Sequence, residues 1–387
     1  MRKTHEGAPR RQLGLVLLLA LAAMMLIAAG CGGDDNSSSG GGGGGGGGSA
    51  NTAEAEKLAT ENEKQPTSIP DKEPIGKPIP SGKKIAFIGC GPSTCLEFAD
   101  VMKEGTDLLG WDLQKIATDG SPEKISNAIR SAIRSGADAI WLPAADPNTL
   151  AAPLKEAKEK GVFFAACCSL ATMPDQVDFN TSTPEQNGPI GESLAAKVVA
   201  DSGGDANTLY VNVSAFQILA EVGKTFKSEY NKLCPDCKYD QLEVPLTALG
   251  KDVPDRILSK LRANPDINYL VLSENNALSP GLLAALKSGG YGPDKLTVLG
   301  QGGDATVFQA VKDGDMLAIT PPNSYDYSLS VVDAMARHFA GVDVTETVPT
   351  SWLVTKENMP DAGNANQFPF QEDYLQQWAK LWGKNAS

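Results

Sequence analysis

The run Lys83-Lys84-Ile85-Ala86-Phe87-Ile88-Gly89 constrains the fold more than any other stretch of the chain. It is short and apolar, with β-branched and aromatic residues, and it ends at Gly89-Cys90-Gly91-Pro92. That pattern predicts a buried strand entering a tight loop. Residues 93–109 follow with helical spacing, and the unit then repeats. Strands are expected at 84–89, 112–118, 139–142 and 162–166, with helices at 93–109, 122–135 and 148–160. Ile125, Ala128, Ile129, Ala132 and Ile133 make one apolar helical stripe, and Gly136 and Gly161 stand where helices should stop. This order implies a parallel sheet with helices on both faces. In such sheets ligands sit beyond the carboxyl ends of the strands.

The alternation restarts near residue 184. Helices are expected at 184–200, 215–233, 253–263, 280–288, 306–313 and 325–339. Strands are expected at 208–213, 242–245, 269–273, 297–299, 317–320 and 351–355. About 300 residues of this kind suit two lobes rather than one core. The fold class is therefore α/β, with parallel sheets in two lobes. A formal net charge of −13 argues against nucleic acid or an anionic membrane surface as partner.

The start of the chain has a different character. Arg2, Lys3, Arg10 and Arg11 precede an apolar run over 15–29, and Ala28, Ala29 and Gly30 then precede Cys31. These are the parts of a secretory signal, and the run is short for a spanning helix. The Cys directly after small residues resembles the lipobox of bacterial lipoproteins, with Ala28 where that motif commonly has Leu. The resemblance implies a signal over 1–30, lipid on Cys31, and an extracytoplasmic, membrane-anchored protein. Residues 31–82 include nine consecutive glycines over 40–48 and Pro66, Pro70, Pro74, Pro78 and Pro80. They are expected to form an open tether, since nothing in the helix-prone stretch 53–64 could bury a face. About 50 such residues would reach roughly 40 Å.

Several motifs then narrow the folded part. They are Ser135-Gly136-Ala137-Asp138-Ala139-Ile140 with its proline loop at Pro143 and Pro147, Gly161-Val162, Asn275-Asn276, and Val311-Lys312-Asp313-Gly314-Asp315-Met316-Leu317-Ala318. In this order, from about residue 83 to 355, the chain resembles the type 1 periplasmic binding proteins, in particular the sugar-type binding components of ABC importers. The resemblance implies two Rossmann-like lobes joined by three crossings, near 178–181, 320–323 and 348–352. It puts 83–180 with 323–347 in the first lobe and 181–319 with 348–358 in the second. Residues 320–322 form one hinge crossing, stiffened by Pro321-Pro322, and 359–387 form an extra tail. That tail is read either as frayed or as docking through Leu375, Trp378 and Leu381.

The implied activity is capture of a small polar, carbohydrate-like ligand and its delivery to permease subunits by a monomeric, non-enzymatic protein without cofactor or metal. Presentation of the ligand to a membrane sensor is the alternative. The candidate contacts are Ser93, Thr94, Asp146 and Ser169 from the first lobe, and Phe216, Gln217, Asn275, Asn276, Gln301 and Asp304 from the second. Asn323, Tyr325 and Asp326 lie near the hinge. Hydroxyl, amide and carboxylate groups suit a polyhydroxylated ligand, and the rings of Phe216 and Tyr325 suit stacking on a sugar. Family members commonly have Asn-Asp where Asn275-Asn276 stands and Gly-Phe-Asp-Gly at Gly300-Gln301-Gly302-Gly303. They commonly have Gln at Pro322 and Asp-Arg at Cys168-Ser169. These departures point away from a simple monosaccharide.

Besides Cys31 there are six cysteines, an even number in an oxidising compartment. Cys234 and Cys237 suit a structural bridge closing a turn. Cys90 with Cys95 suits a bridge on the first cleft loop, but cross-pairing with Cys167 or Cys168 is equally compatible with the spacing. Gly89-Cys90-Gly91 lacks the third glycine of a dinucleotide fingerprint. No nucleophile–base set is visible, and the chain has only His5 and His338 as histidines.

Overall fold

A computed structural model describes residues 50–90, 94–143, 147–168, 174–363 and 365–386. In chain order the first elements are α1 (Thr52–Asn62), β1 (Lys84–Ile88), α2 (Thr94–Leu109), β2 (Asp112–Ile116), α3 (Pro122–Arg134), β3 (Ala139–Pro143), α4 (Ala151–Glu159), β4 (Phe163–Cys167) and β5 (Phe179–Thr181). There follow α5 (Pro184–Asp201), β6 (Asn207–Asn212), α6 (Gln217–Leu233), β7 (Lys238–Glu243), α7 (Val253–Ala263), β8 (Tyr269–Leu272), α8 (Asn275–Leu278), α9 (Leu282–Ser288) and β9 (Thr297–Gln301). The last are α10 (Ala305–Asp313), β10 (Ala318–Thr320), α11 (Ser324–Ala340), β11 (Val354–Thr355) and α12 (Tyr374–Leu381).

The strands form two sheets, ordered β2-β1-β3-β4-β5 and β11-β10-β9-β8-β6-β7. All pairings are parallel except that of β10 with β11. The central strands are fully buried, as near-continuous apolar runs such as Ala139–Pro143 require. Trp141 is core, in edge-to-face contact with Phe87 at 5.3 Å. Proline and hydroxyl caps set the helix starts. Ser121 receives the Lys124 N–H ahead of Pro122, and Thr183 with Gln186 forms a reciprocal capping box ahead of Pro184. Gly191 lets α5 and α6 meet closely, since a Cβ there would strike the Val222 carbonyl and the Phe226 amide.

The chain passes between the sheets three times, after β5, after β10 and between α11 and β11. Helix α11 returns to lie on α2, β4 and β5. Hydrogen bonds knit the crossings together. Thr181 Oγ1 donates to the Thr347 carbonyl at 3.3 Å, and Asn323 Nδ2 donates to Thr350 Oγ1 at 2.8 Å.

The expectation of an open tether fails over residues 50–82, which are built into the body. Helix α1 buries Ala55 and Ala59 against α5, a contact made possible by side chains too small to register as an apolar stripe. The Asn51 N–H donates to the Leu233 carbonyl at 2.7 Å. The Glu63 carbonyl accepts from Trp352 Nε1 at 3.0 Å and Asn358 Nδ2 at 2.8 Å. Ile69 and Ile75 then enter the first-sheet core. The tail is ordered too: Phe368 and Phe370 pack with Trp352 in the second-sheet core, while Trp378, Leu381 and Trp382 pack in the first.

A buried ionic cluster joins both chain ends to α11. Arg337 Nε donates to Asp333 Oδ2 at 2.6 Å, and its Nη2 donates to Asp71 Oδ2 at 3.0 Å and to the Glu73 carbonyl. Trp382 Nε1 donates to Asp333 Oδ1 at 2.9 Å, and Thr345 Oγ1 to Asp71 Oδ2 at 2.7 Å. Burial alone would raise the Asp71 carboxyl, but the Glu73 N–H, Thr345 and Arg337 together bring it below its ordinary value. Burial lifts Asp333 to about 6 despite Arg337.

Candidate functional site

The carboxyl ends of β8, β9 and β10 and the start of α11 come together where the chain crosses between the sheets. Glu274 leaves β8 and its Oε1 accepts the Asn276 N–H at 3.1 Å. Gly302, at the end of β9, has φ +85, and a Cβ on it would collide with Glu274 Oε1 and crowd Asn276 Oδ1. The absent side chain is thus what leaves room for Glu274. The Gly302 N–H donates to the Thr320 carbonyl at 2.9 Å, tying β9 to the crossing. Tyr327 of α11 sets its ring 6.3 Å from that of Phe98 and is hydrogen-bonded to Ser182; burial raises its phenol.

Asp326 locks this geometry. Its Oδ2 accepts from Asn323 Nδ2 at 2.8 Å, the Thr350 N–H at 2.9 Å and Thr350 Oγ1 at 2.7 Å, which joins two crossings through one carboxylate. Its Oδ1 is buried without a partner, as are Asn180 Oδ1, Gln301 Oε1, Thr320 Oγ1 and Ser324 Oγ. Buried polar atoms are nearly always paired. Five unpaired ones on β5, β9 and the β10–α11 crossing are the pattern a polar ligand would satisfy. Burial pushes the Asp326 carboxyl up to about 7 against the opposing Thr350 bonds. Burial likewise pushes Glu274 up to about 7, opposed by the Asn276 N–H and assisted by the Asp304 carboxylate.

The expected contacts divide into three groups. Gln301 and Asn276 lie at this place; Asn276 Nδ2 reaches Asp304 Oδ2 at 3.4 Å. Asp304 itself caps α10, accepting the Thr306 and Val307 N–H groups at 2.9 and 3.0 Å. Phe216 and Gln217 stand exposed where α6 begins after β6, and the Phe216 ring is 50 % accessible.

Two expectations need correction. Asn275 is 0 % exposed, and its Nδ2 donates to the Gly302 carbonyl at 2.8 Å. Its Nδ2 thus ties β8 to the end of β9, while its Oδ1 is buried without a partner, and its neighbour Glu274 caps α8. Tyr325 turns its ring to Tyr374, with centroids 4.7 Å apart. Ser93, Asp146, Ser169 and Cys31 lie outside the described residues, and Thr94 is described only as the first residue of α2.

The cysteines stand in adjacent pairs. Cys90 and Cys95 have Cα atoms 5.9 Å apart, Cys167 and Cys168 are sequence neighbours at the end of β4, and Cys234 and Cys237 are 5.3 Å apart. No group of His, Cys, Asp and Glu able to hold a metal occurs among the described residues, and none of the described helices is long and apolar enough to cross a membrane.

Two parallel-dominated sheets bridged by three crossings, with the polar cluster at the strand ends, define a two-lobed binding-protein fold. The periplasmic binding protein domain model matches residues 95–342, and the chain belongs to that family. Membership implies an extracytoplasmic location. Among solved structures, the periplasmic ribose ABC transporter protein of Conexibacter woesei DSM 14684 superposes with a TM-score of 0.64 at 17% identity, covering 73% of this chain and 95% of that one. An ABC transporter solute-binding protein of Actinobacillus succinogenes 130z with bound D-allose gives 0.63 at 16% identity, covering 72% and 99%. The 5-methylthioribose transporter solute-binding protein of Thermotoga lettingae TMO, in complex with 5-methylthioribose, gives 0.58 at 18% identity, covering 81% and 96%. No curated protein sequence matches.

Proposed function

We propose that this protein is the solute-binding component of an ABC importer. It takes a small, polar, carbohydrate-like ligand between its lobes, and the closed form docks on permease subunits. The observation that carries this reading is the set of buried, unpartnered oxygens of Asn180, Gln301, Thr320, Ser324 and Asp326. They sit at strand ends and crossings, where a hydroxylated ligand brings both donors and acceptors. The sugars and polyols bound by structural relatives support the same class. The lobes run over 83–180 with 323–347 and over 181–319 with 348–358, and Cys31 carries the lipid that holds the protein at the membrane. The three adjacent cysteine pairs are disulfides in this compartment.

Ligand contacts made only when both lobes meet would shift the population toward the closed form. A thermal-shift panel of sugars, polyols, amino sugars, sugar acids and nucleosides tests the reading. Binding to the native state alone raises the midpoint by an amount set by concentration over Kd. A shift with a member of the carbohydrate classes, together with compaction in small-angle scattering, is the expected result. A panel without any shift, or a shift without compaction, overturns it.

A further inference from the structure

The carboxyl-terminal tail bridges the two sheets on their strand-end side. Phe368 and Phe370 anchor it in the second-sheet core, where the Phe368 ring lies 5.0 Å from that of Phe308 on α10 and 6.1 Å from that of Trp352. Asn366, two residues earlier, is exposed. Its Oδ1 accepts the Ala305 N–H at 3.4 Å, at the start of α10, and its Nδ2 donates to Glu97 Oε1 at 2.8 Å, in the first turn of α2. Gln367 Nε2 donates to the Glu97 carbonyl at 3.3 Å. Helix α10 follows β9 of the second sheet, and α2 follows β1 of the first. One short stretch of tail thus ties the strand ends of one sheet to those of the other.

The next part of the tail crosses at the hinge. Gln371 Nε2 donates to Thr350 Oγ1 at 3.3 Å, and Thr350 is the residue that Asn323 and Asp326 hold from the neighbouring crossing. Tyr374 then meets Tyr325, and Trp378 and Trp382 enter the first-sheet core. A segment pinned at the hinge turns with it when the lobes part. Asn366 and Gln367 are held instead by the phenylalanine anchors in the second core, while Glu97 belongs to a helix of the first. Parting the lobes therefore pulls directly on the bonds to Glu97. A hydrogen bond to a charged group makes a modest net contribution, enough to shift a two-state equilibrium without locking it.

We propose that the tail is a clasp: Asn366 and Gln367, carried by the second lobe, grip Glu97 on the first and limit how far the lobes part in the ligand-free protein. This rests on the importer reading above, in which the lobes move. The clasp is made when the lobes are together and is lost on wide opening. A ligand held by both lobes gains apparent affinity in proportion to the population in which they are together, so the clasp tightens binding without touching the ligand.

The test is electron–electron double resonance on the full chain without ligand, between spin labels at positions 124 and 251 carried on non-natural amino acids, which spares the cysteines. Lys124, after β2, and Lys251, after β7, are exposed, and β2 and β7 are the sheet edges opposite the crossings, so opening moves them most. Glu97→Ala should lengthen and broaden the distance distribution, with a several-fold larger share at long distance. Glu97→Gln keeps an acceptor and should stay near the unaltered protein. Asn366→Asp sets a carboxylate against Glu97 and should open the lobes further, the more so at low ionic strength. Asp361→Ala removes an ion pair with Lys312 of α10 and leaves the clasp in place, so it should change nothing. Distances that stay unchanged in Glu97→Ala and Asn366→Asp, or that change as much in Asp361→Ala, overturn the clasp while the importer reading stands. Lobes that open in the clasp variants, in a protein that binds no member of the ligand panel, support the clasp and overturn the importer reading.

Discussion

Asp326 and Glu274 make the protein's stability depend on pH in an unusual direction. Their folded pKa values, about 7, lie above ordinary carboxyl values near 4. The folded state therefore binds more protons than the unfolded one between those limits. The stabilisation is complete below about pH 4 and is lost as pH rises through 7. For Asp326 a shift of this size corresponds to roughly 4 kcal/mol as an upper bound. The ligand-free melting midpoint should fall between pH 5 and pH 8, and Asp326→Asn should flatten that slope. A midpoint that rises over this interval would contradict the burial of both carboxyls. The sequence made Asn275, Asn276, Gln301 and Asp326 legible as polar residues after strands. It did not show that Asn275 would tie β8 to the end of β9, because its partner, the Gly302 carbonyl, lies on the next strand and meets it only in the folded sheet.

Among the elements, the strand–helix alternation could be read because the central strands are apolar throughout, whereas the polar edge strand β7, Lys238–Glu243, begins four residues before the expected 242–245. Helix α1 could not, since alanines bury little area per residue and its partner α5 is far along the chain. The same holds for the Arg337 cluster, in which Asp71, Asp333 and Trp382 meet only through tertiary structure. Arg337→Met leaves two buried carboxylates uncompensated and should cost about 3–5 kcal/mol, read by urea denaturation at pH 7. An unchanged midpoint would show the cluster to be water-filled. Gly191→Ala should separate α5 from α6 and cost at least about 1–3 kcal/mol, as overpacking does.

At the scale of the molecule, the two chain ends add a pair of links to the three crossings. Residues 50–82 run from α5 to the first-sheet core, and the tail runs from Phe370 to Trp382 between the same two cores. They also bind each other, with Gln371 Nε2 donating to the Ser68 carbonyl at 3.0 Å and Gln377 Nε2 to that of Thr67 at 3.0 Å. A chain beginning at Lys83 exposes Ile69-facing and α1-facing apolar surface. It should melt well below one beginning at Ala50, with altered denaturant dependence; equal stability would mean the segment is dispensable.

Docking of α1 also resets the geometry of attachment. Ala50 lies beside Leu233 and Gly204, at the amino-terminal edge of the second sheet, away from the carboxyl strand ends. With lipid on Cys31 as proposed, only the stretch up to Ala50 is leash, a span on the order of 25 Å for a glycine-rich coil. Anchored in that way, the protein would meet a membrane partner at a local concentration set by the leash rather than by the dilution of the surrounding medium.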